Sequence, residues 1–507
     1  MEQYSTKSSV CCKIKLQFDY CIKVRALIFL MNHIWHKHCK TITEIFMSGG
    51  VAMKTALLGA AAILALSSAT AQAGILYFDF NRNQVSSAAN SSVFLFGTTG
   101  QTATVSNLAG FSQNIVFGVD GFFNLPIANT YQQSGTGIRN TGFQVVSPDP
   151  IAGYFVNRAP FTTDMTYLLD SAALSTEYVV ASQGQGFGEG SQVAIHATEN
   201  NTAVTFTPKG GAAINVVLQA GETYKYAGGS TDLTGSLVSA DKKVAVFGGH
   251  ECAQTPPGIT ACDTLLEQMI PTDKLSKTYV LAATKAASIS ATGGDIVRII
   301  ATVNGTQVTV DGVVVATLNK GDVYQYSLPA NSGSIVSATQ PVMVAQYLVG
   351  GQGTNTDPAM SLVPGSDEWL DEYRLSTPSG AQSFIENYAS IAIETADLAS
   401  LLLNGLAVNT AGCTVIGSSI FSRCNIDLPL GLFDLTADSP FEVMLGGGSS
   451  ADSYLTYGGA TFAPGISPPP PPVDPPLETP EPATIALLAA GLGGIEALRR
   501  RRKSRQK

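Results

Sequence analysis

Charge is what this chain has least of. Asp, Glu, Lys and Arg make up 13% of its 507 residues, against about 25% in ordinary globular proteins. The polar surface must therefore be built mostly from Ser, Thr, Asn, Gln and Gly. Positive charge is scarcer still in the middle of the chain. Residues 1–52 carry +4, Lys54 +1 and residues 483–507 +6, so of the net −9 the remainder, 74–482, holds −20. Such a body excludes nucleic acid and anionic membrane surfaces as partners. Helical periodicity is scarce, which excludes a bundle. No Gly-x-Ser-x-Gly, His-Glu-x-x-His or Walker loop occurs. No catalytic residue, metal ligand or cofactor is assigned on motif grounds.

What the chain does have is a repeat. Ser191 to Phe206 alternates apolar and polar residues around Glu199-Asn200-Asn201, a hairpin signature. Gly221-Glu-Thr-Tyr224 and the paired strands of 235–246 follow. Asp295 to Val310, Gly321-Asp-Val-Tyr324 and Gly333 to Val344 copy all three pieces. Weaker copies lie at 390–443 and 94–151. A tyrosine-bearing strand opens each unit, at Tyr77, Tyr178, Tyr279 and Tyr373, with gaps of 101, 101 and 94 residues. Fixed-period self-similarity sets architecture before any local pattern does. The expectation is an all-β chain of four tandem β-sandwich-like repeats at 74–176, 177–277, 278–371 and 372–462. A closed β-propeller-like ring is the alternative. Seven strands are expected per unit. Asp263–Met269 and Asp367–Leu370 read as single helical turns between units.

Both ends read as processing signals. Met53-Lys54 and the apolar run to Leu66 lead to Ala71-Gln72-Ala73, a secretory signal peptide (53–73) with cleavage before Gly74. Residues 1–52 then read as a mis-called upstream leader, with Met53 the initiator. The rival reading is a real extension with a metal cluster of His33, His36, His38 and Cys39. At the other end, 463–479 is a stiff Pro-rich linker. Pro480-Glu481-Pro482 follows, then an apolar run from Ala483 to Leu498, then Arg499, Arg500, Arg501, Arg502 and Lys503. The basic cluster would stay cytoplasmic and hold the body outside the inner membrane for a time.

Four cysteines fall in the body, and four allow three pairings. Local pairing, Cys252–Cys262 and Cys413–Cys424, is expected in an exported chain. His250-Glu251-Cys252 with Cys262-Asp263 could instead bind zinc. His196 reads as a packing position, since Ile300 fills its place in the next unit. Gly184 to Gly190 reads as a flexible connector. Asp367-Glu368 and Asp371-Glu372 could serve a hydrolase, and nothing in sequence sets two of them across a cleft.

Two resemblances add to this. The ordered tail (Pro-Glu-Pro, apolar helix, arginine cluster) resembles the PEP-CTERM sorting signal, from which Glu496 departs by placing a carboxylate in the apolar run. The resemblance implies recognition and cleavage by an exosortase-type membrane protease in a Gram-negative exopolysaccharide producer. The body is similar to the IgGFc-binding protein N-terminal domain family. Glu199-Asn-Asn-Thr202, Asp232-Leu-Thr-Gly235, Val244 to Cys252, Cys262 to Gln268 and Thr356-Asp-Pro358 carry that similarity. It implies a β-rich extracellular recognition or adhesive module, not antibody binding. The combined expectation is a non-enzymatic cell-surface or matrix protein whose partners are exopolysaccharide or surface proteins. The alternative is a secreted polysaccharide-acting enzyme using loop carboxylates.

Overall fold

Alternating apolar residues become antiparallel strands throughout the computed structural model, which describes residues 73–462 except 84–89, 352 and 381–382. The leader 1–52, the signal peptide including Ala71, the linker 463–479, Pro480, Glu481, Pro482 and the basic cluster 499–503 lie outside the described residues. Of the expected cleavage site, Ala73 is described, and Gly74 opens the first strand, Gly74–Phe78.

The third repeat shows the plan most plainly. One four-stranded sheet runs Thr278–Ala282, Gly333–Ala338, Thr306–Val310, Val313–Leu318. The second runs Val323–Pro329, Gly294–Ala301, Val342–Leu348, Ala359–Leu362. The first repeat has the same two orders. In the second and fourth, two successive strands fuse into Leu237–Ala253 and Leu432–Ser449, each passing through both sheets. The sheets face one another. Phe78 stacks at 4.7 Å on Phe143 of its own sheet and at 4.7 Å on Phe155 of the other. Gly137–Arg139, before residue 176 in the chain, adds to the second repeat's sheet beside Thr223–Gly229.

The opening tyrosine has a physical role in three units. Tyr178, Tyr279 and Tyr373 each accept a hydrogen bond from the backbone N–H three residues earlier. Each donates its hydroxyl to a carbonyl where the late strand enters the second sheet, at Val244, Val342 and Phe441. The bond ties the two sheets at a corner. Tyr77 does not belong to this set. Leu76, paired with Val145, takes the inward place that Tyr178 holds against Val238. Tyr77 faces the other way, 4.9 Å from the ring of His196. The first unit is offset by one residue, and in a strand one residue exchanges the faces.

Each unit has an eighth strand, which alternation does not announce: Thr162–Tyr167, Asp263–Gln268, Ala359–Leu362 and Asp452–Tyr457. Every residue in these four is buried. The expected helical turn at 263–269 is thus a strand. At 367–370 the chain makes a Gly365–Glu368 turn and enters the strand Leu370–Ser376. Helix among the described residues is confined to short 3-10 turns such as Ala286–Ile289.

The four innermost strands pack in a cycle, first on second, second on third, third on fourth, fourth on first. The ring therefore closes. Tyr154 Oη donates to Gly458 O at 2.6 Å and Tyr167 packs against Tyr457 at 5.2 Å, joining the first unit to the last. The fold unites both expected architectures: sandwich-like units, arranged as a four-part ring.

Candidate functional site at the mouth of the ring axis

An innermost strand is an edge strand, and its free edge lies in the protein's interior. Buried N–H groups left unpaired there would be costly. Carboxylates supply the partners. Asp164 accepts from the N–H groups of Leu266, Met360 and Leu455, one from each of the other three units, at 2.9, 3.1 and 3.2 Å. Asp263 accepts from Thr163 N at 2.8 Å and Ser453 N at 3.1 Å. Glu267 accepts from Thr166 Oγ1 at 2.6 Å and Leu362 N at 3.3 Å. Burial holds all three carboxyls well above the usual carboxylate range, and the backbone donors oppose that shift.

At one end of these strands four connections converge. Two are two-residue hairpins. Phe161 has φ of 63° and is 71% exposed, and Ala451 has φ of 58°. A bulky residue at positive φ is uncommon outside functional or strained turns. The third connection carries the Cys252–Cys262 disulfide and the fourth Thr356-Asp357-Pro358. All four border a cleft of about 530 Å³, lined among others by Phe161, Thr260, Thr354, Thr356, Asp357 and Ser450.

Asp357 is one of the cleft's lining residues, and Asp263 and Asp452 follow directly in the chain on the lining residues Cys262 and Ala451; all three are at most 5% exposed. Burial first, and their mutual repulsion second, raise Asp263 well above its ordinary value and Asp357 to about 7. Burial raises Asp452 to about 6, against the pull of Arg158, whose guanidinium lies 3.5 Å away. Asp357 and Asp452 thus change protonation near neutral pH, whereas Asp263 already accepts from backbone N–H groups at both oxygens. Asp452 Oδ1 and the hydroxyl of Thr356 are buried without a hydrogen-bond partner. An aromatic ring, hydroxyls and a carboxyl thus border one cleft and offer it both stacking and hydrogen-bonding groups.

The other sequence candidates go elsewhere. Cys252–Cys262 and Cys413–Cys424 are disulfides. His250 is kept neutral by burial, its pKa lowered to about 4, and its Nδ1 accepts from Cys252 N at 3.0 Å. Glu251 pairs with Arg82 at 3.0 Å. Among the described residues no group of three or more His, Cys, Asp or Glu is arranged to hold a metal. His196 is fully buried but does more than pack, since Asp79 Oδ2 lies 3.3 Å from its Nδ1. Residues 186–190 are strand rather than connector. A Cβ on Gly186 would stand 1.9 Å from Cys252 O and one on Gly190 1.7 Å from Gly229 O, so glycine here permits close approach. Asp367, Glu368, Asp371 and Glu372 border neither this cleft nor a second one of about 580 Å³ between Leu403–Asn409 and Asn425–Pro429. Sequence reasoning missed Asp164, Glu267 and Phe161. The available signal was an aspartate in a short segment that recurs at the end of three units, at Thr162–Tyr167, Asp263–Gln268 and Asp452–Tyr457.

Comparison with known proteins places residues 164–447 in a match to the family described as IgGFc binding protein. The human IgGFc-binding protein is 26% identical over 290 residues, which is 54% of this chain and 5% of that protein. This chain thus spans only a small part of its relative's length. A solved tetra-tandem repeat from the extending region of a large adhesion protein is 12% identical. It covers 76% of this chain and 99% of its own with a TM-score of 0.09, too low to bear on the fold.

Proposed function

The chain belongs to the IgGFc binding protein family, and from that premise we propose that it is an exported recognition or adhesive module that grips an extracellular polymer at the ring's axial mouth. The observation that carries the reading is the convergence of four connections, one per unit, on a single cleft over three buried carboxyls. Exopolysaccharide suits it chemically. Phe161 offers an exposed ring face for the C–H side of a sugar, and Asp357, Thr354, Thr356 and Ser450 offer partners for its hydroxyls. The strongly acidic body favours a neutral or cation-bridged glycan over a polyanion.

Delivery is part of the same proposal. The signal peptide carries the chain across the inner membrane, and the tail around Pro480, Glu481 and Pro482 is recognised by an exosortase-type membrane protease. The basic cluster 499–503 holds the chain there until release to the cell surface or matrix, where it supports biofilm or floc formation. Among the described residues no helix is long and apolar enough to cross a membrane.

The test is incubation of purified body with the producer's own exopolysaccharide. Retention without chain shortening, weakened about tenfold or more by Phe161→Ala, is expected. Retention unchanged by Phe161→Ala and Asp357→Asn would remove the mouth from the reading. New reducing ends would replace adhesion by hydrolysis through loop carboxyls.

A further inference from the structure

The seam between the first and second units buries a lysine with no structural need for its charge. Lys225 lies in Thr223–Gly229 and is fully buried. Its Nζ meets two neutral amide oxygens, Asn81 Oδ1 at 3.0 Å and Gln192 Oε1. The equivalent strand of the third unit carries Gln325 at this place, paired at 2.9 Å with Arg298. A lysine among amides is thus particular to this seam.

The two amides differ. Gln192 is pinned at both ends, its Oε1 accepting from Arg82 N at 3.0 Å and its Nε2 donating to Arg82 O at 2.8 Å. Asn81 is fully buried, and its Nδ2 has no hydrogen-bond partner. Its amide nitrogen is therefore held by no neighbour. Two residues earlier stands Asp79, whose Oδ1 accepts from Thr223 Oγ1 at 2.7 Å and Gln133 Nε2 at 2.8 Å. Its Oδ2 has no hydrogen bond, with only His196 Nδ1 near at 3.3 Å.

We propose that Lys225 and Asn81 are joined by an intramolecular isopeptide bond that covalently links the first unit to the second. Lys225 Nζ, as the free amine, attacks Asn81 Cγ and a C–N bond forms. The C–N bond to Nδ2 breaks, the proton displaced from Nζ goes to Nδ2, and ammonia leaves. Nothing is oxidised or reduced. Nζ lies 3.0 Å from the oxygen of the Asn81 carboxamide, so the amine and the group it would attack are already in contact. Burial lowers Lys225 to about 7, which keeps a share of it as the nucleophile, while Glu189, Asp79 and Glu251 act against that shift. Exclusion of water protects the product from hydrolysis. The bond would close a loop spanning 144 positions.

The experiment is mass spectrometry of the purified, reduced mature body, folded as judged by circular dichroism. The expected mass is about 17 Da below that of the sequence, one ammonia lost. Trypsin is expected to skip Lys225 and to yield one product in which the peptide ending at Arg82 is attached through Asn81 to the peptide carrying Lys225. Lys225→Met is expected to restore the full mass and separate the peptides. Cleavage after Lys225 with the full mass intact would overturn the proposal. So would a product attached through Gln192.

Discussion

The inner and outer edges of each unit meet the same problem and answer it in opposite ways. Both are strands with one row of unpaired backbone groups, a liability in any sheet. At the rim, Val313–Leu318 leaves that row to water, with Val313 and Val314 exposed. At the axis, Thr162–Tyr167 and its three counterparts leave it to carboxylates. Water forgives a changed side chain; an interior edge does not. The acids at the axis are therefore partners of backbone donors first, and of those near the mouth only Asp357 lines the cleft.

The largest test of this contrast is Asp164→Ala. It strands amides from all three other units, and chemical denaturation should show a loss of about 4 kcal/mol or outright failure to fold. A loss under about 1 kcal/mol would mean that the axis does not depend on its acids. Next comes removal of one disulfide. Replacing Cys252 and Cys262 by Ala should cost about 2–3 kcal/mol and loosen the mouth, read as reduced midpoint and reduced glycan retention.

The third test is pH. Asp357 and Asp452 have folded values raised above their unfolded ones, to about 7 and about 6. The stability they lend as neutral groups is complete below the unfolded value and is lost as pH rises through 6 to 7. The thermal midpoint should fall by roughly 5 °C between pH 5 and pH 8, and Asp357→Asn should flatten that slope. Smaller again is Tyr279→Phe, expected to cost about 1 kcal/mol by leaving Val342 O unmatched, whereas Tyr77→Phe should cost less than half of that. Smallest is Val313→Thr at the rim, expected within about 0.5 kcal/mol of the parent.

The repeats, most hairpins and both disulfides could be read from sequence because each has a local signature. Alternation at Ser191–Phe206 marks one face wet and one face dry. Gly221 and Gly321 mark turns, with φ of 84° and 81° and the following acid bonded back to Gln219 or Asn319. The axial strands have no such signature. Both faces and the free edge of Asp263–Gln268 are buried, so its residues do not alternate, and the segment reads as a helical turn. Tyr77 misled because spacing along the chain does not fix which face a side chain takes. Lys225, between Tyr224 and Tyr226, carries no sequence signal of burial, yet it is fully buried. It is buried because the first unit lies over it, a fact no local pattern contains.

The clasp between Tyr154 and Gly458 has a consequence for timing. A chain that folds from its amino end forms three units before the one that completes the circle. Until Asp452–Tyr457 arrives, Asp164 and Asp263 each lack one of their amides, and Tyr154 has nothing to hold. Closure of the ring is then gated by the fourth unit, and a product truncated before it would be left as an unfinished arc, exposed to proteases.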